Sequence, residues 1–163
     1  SGRASLYDEN HEPNNHFQGS QVMAIQATAE QLQSFMSGEF PQATIKVEKV
    51  DEKEAWVRQP VDESHLRPGG TVSGPTMMAV ADTAAYVVVL SHIGIVPLAV
   101  TSNLNINFLR KPEPGKALLA KGTLLHLGRR SVLTEVHIYS EGQLGKPVAH
   151  AVVTYAVPSS HKA

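Results

Sequence analysis

The longest apolar run in the chain is Thr76-Met-Met-Ala-Val-Ala-Asp-Thr-Ala-Ala-Tyr-Val-Val-Val-Leu90, and it carries a single carboxylate, Asp82. Apolar residues on nearly every face predict a buried helix, from about Pro75 to Ser91. Pro75 sits where a helix tolerates proline, because the missing N–H would be unbonded there anyway. Upstream, Leu32, Phe35 and Met36 share one face of a shorter helix over residues 29–36, with Gly38 as its stop. Residues 44–50 alternate apolar and polar as a half-buried strand does, and 54–60 read as its hairpin partner across Asp51-Glu-Lys53. Everything after Pro97 reads as strand, with candidates at 98–110, 116–127, 131–140 and 147–157. Turn chemistry at 111–115, 128–130 and 141–145 separates them, and such short connections favour antiparallel neighbours. The expected class is α+β, with an antiparallel sheet curled around one long central helix.

Composition narrows the picture modestly. A chain of 163 residues is one ordinary domain, expected over 23–163. Residues 1–22 lack periodicity and are too polar for a signal peptide. Their Phe17-Gln-Gly-Ser20 end resembles a protease-cleavage scar, so an engineered leader is expected, with a genuine extended arm as the alternative. A net charge of −1 gives no electrostatic case for nucleic acid or an acidic membrane surface. The absence of cysteine removes thiolate nucleophiles, zinc–thiolate sites and disulfides, and is compatible with a cytoplasmic location. Asp82, Ser91 and His92 interrupt the apolar run, which argues against a membrane span.

The chemistry concentrates on the long helix. An ionised carboxylate in an apolar setting costs several kcal/mol (roughly, from transfer data) unless it is paired, hydrated or used. Asp82 lies too far into the run to serve as an N-cap. At the helix start, Ser73-Gly-Pro-Thr offers unpaired amides and positive potential, a natural place for an oxyanion. Pro75 has no amide, so Gly74 N–H is the main donor, with Thr76 behind it. Gly74 and Asp82 are eight positions apart, about 12 Å along a helix at roughly 1.5 Å per residue. One reacting carbonyl cannot touch both. If both act on it they come from different chains, across a two-fold axis that brings each Gly74 to the other chain's Asp82.

The segment Gly-Gly-Thr-Val-Ser-Gly-Pro-Thr-Met-Met-Ala-Val-Ala-Asp-Thr-Ala, from Gly69 to Ala84, resembles the hotdog-fold acyl-CoA thioesterases of the phenylacetyl-CoA thioesterase type, whose signature is H-G-G-x-x-x-x-L-x-D. The likeness runs from about Leu32 to Val157 and takes in Asn103-Leu-Asn-Ile-Asn-Phe-Leu-Arg-Lys-Pro112 and Leu127-Gly-Arg-Arg-Ser131. It implies hydrolysis of an acyl-CoA to free acid and CoA by a dimer or dimer of dimers, with no metal or redox cofactor. It further implies Asp82 as general base or nucleophile, Gly74 as carbonyl-polarising amide and Thr101 as the hydroxyl that orients water. Two departures stand out. Ser73 replaces the family's histidine and Pro75 its second glycine, while Arg67 stands where an asparagine is often found. Substrate contacts are expected from these positions, from Thr76 and Asn103, and from an acyl tunnel between helix and sheet lined by Met77, Met78, Tyr86 and Phe108.

Plainer roles stand beside these. Asp82 could be a structural carboxylate satisfied by amides or by Thr101, Gly74 a tight-turn glycine, and Thr101 a strand hydroxyl with a local bond. Arg110, Lys111, Arg129 and Arg130 could bind CoA phosphates or form ordinary solvated surface. His65, His92, His126, His137 and His150 show no metal-ligand spacing and read as structural or exposed. A non-catalytic acyl-CoA-binding hotdog protein is the main rival, motivated by the replaced histidine; a hydratase of the same fold is a weaker one.

Overall fold

The computed structural model describes residues 24–158; the leader expected at 1–22 lies outside them. Two helices, one 3₁₀ turn and six strands follow in the order α1 (Ala29–Glu39), β1 (Lys46–Val50), β2 (Glu54–Gln59), the turn Glu63–His65, α2 (Gly74–Ile93), β3 (Val100–Phe108), β4 (Leu118–Leu127), β5 (Ser131–Ser140) and β6 (Ala149–Ala156). Thr28 and Gln31 close a capping box at the start of α1. Gly38 does not stop that helix: it continues to Glu39, and Phe40 caps it through its amide on Met36 O.

All six strands pair antiparallel in one sheet, ordered β1-β2-β4-β5-β6-β3. This corrects the expectation that each strand lies beside the next, because β3 sits at the far edge against β6. The amides of Leu109 and Arg110 bond Val148 O, holding the chain along β6 until residues 111–116 cross the end of the sheet. Pro112 and Pro114 in that crossing cannot donate to a ladder. Register shifts in β1, β3 and β4 add the local bend that a curled sheet needs.

The inward faces follow the alternation in the sequence. Ala55 and Val57 of β2, Leu118 and Ala120 of β4, Val132, Val136 and Ile138 of β5, and Ala149, Ala151 and Val153 of β6 are all buried. They pack on Val80, Ala81, Ala84, Val87, Val88 and Leu90 of α2. The helix meets β4 at Gly122, where an added Cβ would lie 2.7 Å from Val88 Cγ2 and 3.1 Å from Ala84 O. That close approach requires glycine.

α2 is long and apolar enough by composition to cross a membrane, but 67% of its most apolar window is buried inside the fold, as befits a core helix. It is not buried on every face, however. Pro75, Met78 and Ala79 are exposed, and Asp82 and Thr83 are half-buried. Their spacing of three and four residues makes them one stripe along the helix.

Candidate functional site

Asp82 lies on this stripe rather than in the core. It opens on a cavity of about 440 Å³ whose other walls include Met36, Phe40, Ile45, Tyr86, Ala99, Thr101 and Tyr155. Thr101 Oγ1 donates to Asp82 Oδ1 at 2.5 Å, and Tyr155 OH donates to the same oxygen at 2.8 Å and to Asp82 O at 3.0 Å. The two hydroxyls converge because Thr101 of β3 and Tyr155 of β6 are cross-strand partners in the sheet register. Tyr155 also stacks on Tyr86, with ring centroids 5.5 Å apart and planes 15° apart.

Burial foremost, with the negative charge of Asp82 adding to it, pushes the Tyr155 phenol far above its usual range, although its bond with Thr101 acts the other way. Tyr155 is therefore a protonated donor at any working pH. Burial and then the charge of Glu39 raise Tyr86 as well. The cost foreseen for a lone buried carboxylate is thus relieved twice, by two hydroxyl donors and by access to the cavity. One carboxylate oxygen is fixed. The other, Oδ2, has no hydrogen-bond partner among the described residues and is free for a water or a substrate carbon.

The helix tip is arranged differently. Ser73 is the N-cap of α2: its Oγ accepts from Thr76 N at 3.2 Å and lies 2.8 Å from Thr76 Oγ1. Thr76 therefore cannot serve as a second oxyanion amide, a correction that follows from serine being a good N-cap. Gly74 carries the remaining candidate amide. Its Cα is flanked by the Phe108 ring, whose Cζ would stand 3.4 Å from an added Cβ. Gly74, Met77, Phe108, Arg67, Arg110 and Lys111 line a second groove, of about 330 Å³.

The expected site residues thus divide. Asp82, Thr101 and Tyr86 share the first cavity, while Gly74, Arg67, Met77, Phe108, Arg110 and Lys111 share the second. Within one chain the two have no lining residue in common: Tyr86 borders the first, and Met77 and Phe108 border the second. Met78 is 41% exposed and borders neither, because it faces outward on the helix stripe. Pro75 and Asn103 are exposed and also line neither cavity. Arg129 and Arg130 are separated from Arg110 and Lys111 by the length of the sheet. Arg130 O accepts from Val157 N beside the β5–β6 end nearest Val100, whereas Arg110 follows the opposite end of β3. Tyr155 was missed at the sequence level: a buried tyrosine in an alternating strand looks like core, and only the β3–β6 register reveals its partner.

The comparisons with known proteins bear on this arrangement. Residues 69–146, which hold the helix tip, Asp82 and Thr101, match the family model of the thioesterase superfamily. The chain is 41% identical to a Silicibacter sp. TM1040 protein assigned to the thioesterases, over 85% of this chain and 96% of that one, with a TM-score of 0.77. The chain belongs to the thioesterase superfamily. Its fold is the hotdog fold of that superfamily, and its activity is thioester hydrolysis. Two further solved structures extend the likeness. A variant of the phenylacetic acid degradation protein PaaI from Thermus thermophilus is 26% identical, covering 77% of this chain and 99% of that one, with a TM-score of 0.62. A hypothetical thioesterase from Streptococcus pneumoniae, solved with coenzyme A, is 25% identical, covering 70% and 88%, with a TM-score of 0.60. No curated relative matches this chain.

Proposed function

We propose that this thioesterase hydrolyses acyl-CoA at two equivalent sites between paired subunits, each site combining Asp82 of one subunit with Gly74 of its partner. The observation that carries the reading is the half-tethered carboxylate: Asp82 lines the cavity, Thr101 and Tyr155 hold its Oδ1, and Oδ2 has no protein partner among the described residues. In the proposed step Oδ2 takes a proton from water as the water oxygen bonds to the thioester carbon. The carbonyl becomes an oxyanion at the Gly74 amide; as the carbonyl re-forms the C–S bond breaks, and the leaving sulfur takes the proton that Asp82 accepted from water.

The pairing of subunits is supported by what one chain leaves open. Asp82 shares its helix face with exposed Pro75, Met78 and Ala79, and β3 is an edge strand of nine residues. Exposed Leu98, Val100 and Phe108 line or flank that strand. Long edges of this kind are normally covered. The CoA assignment is supported by Arg67, Arg110 and Lys111 around the groove at the helix tip, cationic groups suited to phosphate, and by the CoA-bound streptococcal structure.

A thiol-release assay over aromatic, short and long acyl-CoA thioesters tests the reading, with Asp82→Asn as control. Turnover of at least one thioester that disappears in the variant, while the folded assembly persists, is the expected result. Full activity in Asp82→Asn rejects the assignment.

A further inference from the structure

The outer face of the sheet, turned away from α2, carries a group of side chains that the hydrolytic site does not use. Inward positions of β5 are Val132, Thr134, Val136 and Ile138, so Glu135 and His137 point outward. The β5–β6 register sets His137 directly opposite His150. Glu135 Oε1 lies 2.7 Å from His150 Nε2 and 3.8 Å from His137 Nε2, and the two imidazole centroids are 4.8 Å apart. One ligand atom from each of the three can be chosen so that all lie within 4.8 Å of one another.

We propose that Glu135, His137 and His150 form a binding site for a divalent transition-metal ion of the zinc class, with water in the remaining position. Two imidazoles and a carboxylate are a donor set such ions take, with bonds of roughly 2.0–2.2 Å. Tetrahedral bonds of that length set ligand atoms about 3.3–3.5 Å apart, so the observed separations straddle the required one and small side-chain rotations close the site. The side chains are 31–32% exposed, which leaves a path for the ion and an open position for water. All three donors stand on paired strands, not on loops, and the Tyr139 ring lies nearly parallel to that of His137 (centroids 6.4 Å apart, planes 20°). Lys121, the register partner of His137 on β4, is the opposing charge on this face. None of the three donors borders the Asp82 cavity, so the ion would clamp β5 to β6 without entering the hydrolytic step.

The test is a calorimetric titration of the full chain, freed of metal by chelation, with Zn²⁺ alone, alongside thermal melts with and without the ion. One Zn²⁺ per chain and a raised melting temperature are expected. X-ray absorption of the loaded wild type should show two imidazole nitrogens and an oxygen at roughly 2.0–2.1 Å. Loss of a second-shell partner commonly weakens metal sites 10–100-fold, so His150→Gln or Glu135→Gln should weaken this one by about a hundredfold or more. His126→Gln, and replacement of His11 and His16 together by Gln, should leave the affinity unchanged. Melts of the metal-free variants establish that they fold. Titrations that are the same in wild type and His150→Gln overturn the proposal, as does an absorption spectrum lacking the two imidazoles.

Discussion

The reading of a shared site makes a demand that no single-subunit enzyme meets: two inactive variants should restore each other. Asp82→Asn removes the base. Gly74→Val keeps the amide and is meant to crowd it: its Cβ would sit 3.4 Å from Phe108 Cζ, an ordinary contact, and its two methyls add bulk beside the amide where a carbonyl would approach. Loss of an oxyanion donor costs roughly 10²–10³ in kcat, and loss of the base about 10²–10⁴, so each variant alone should be near background. The two positions are eight residues apart on one helix, about 12 Å at roughly 1.5 Å per residue, which puts them out of reach of one carbonyl within a chain. In a two-fold pair containing one subunit of each kind, one site carries both defects and the other carries neither.

An equal mixture after subunit exchange holds about half mixed dimers, each with one intact site of two, and should recover about a quarter of wild-type activity per chain. The assay is thiol release from a responsive acyl-CoA, with differently tagged subunits counted by native mass spectrometry to establish that exchange has occurred. Mixed dimers present in the expected share, with activity no higher than the mean of the two parents, would refute the shared site. A single variant that retains wild-type turnover would refute the role of the residue it replaces.

Three further outcomes follow from the geometry. Tyr155→Phe removes the 2.8 Å bond to Oδ1, and hydrogen bonds to charged groups contribute roughly 1.5–3 kcal/mol, so steady-state kinetics should show kcat falling about tenfold or more with KM little changed; an unaltered kcat removes Tyr155 from the site. Gly122→Ala presses a methyl to 2.7 Å from Val88 Cγ2 and 3.1 Å from a backbone oxygen, so urea unfolding should show a loss of about 1–3 kcal/mol, the usual cost of overpacking, and an unchanged midpoint contradicts the packing described. The amides of Glu54 and Lys53 bond Asp51 and hold its carboxyl below the usual range. That lowered folded value means the turn's contribution is present above the unfolded value of 3.8 and is lost as pH falls through the folded one. Asp51→Asn should flatten this part of the acid-unfolding curve, and an identical slope in both proteins would contradict it.

What the sequence discloses here is whatever is local. The strand candidates at 131–140 and 147–157 coincide closely with β5 and β6, and the serine–glycine–proline start of α2 marks the helix tip to within a residue. Gly38 misleads because α1 gains more from burying Leu32 and Met36 than it loses through one glycine, a cost of only about 1 kcal/mol. The place of β3 is illegible for a different reason. Its connection to β4 is short enough for neighbours, yet the bonds of Leu109 and Arg110 to Val148 carry the chain across the sheet end. Strand order is a tertiary fact.

That same fact governs both chemical constellations. Asp82 and Thr101 were paired through resemblance to a family, but Tyr155 lies 73 residues from Asp82 and becomes its donor only because β3 runs beside β6. Glu135, His137 and His150 have no ligand spacing as a string, and become neighbours only through the β5–β6 register. A helix shows its reactive residue openly, since one acid in an apolar run has few structural uses. A sheet hides its own by distributing donors over strands whose order the chain does not spell out. Strand order thus brings Tyr155 to the carboxylate as a donor, whereas Ser73 is committed to the helix cap. If the hydroxyl of Tyr155 holds Asp82 in place, Tyr155→Phe should cost turnover while Ser73→Ala, which loses only the cap, should cost about 1 kcal/mol of stability and little rate.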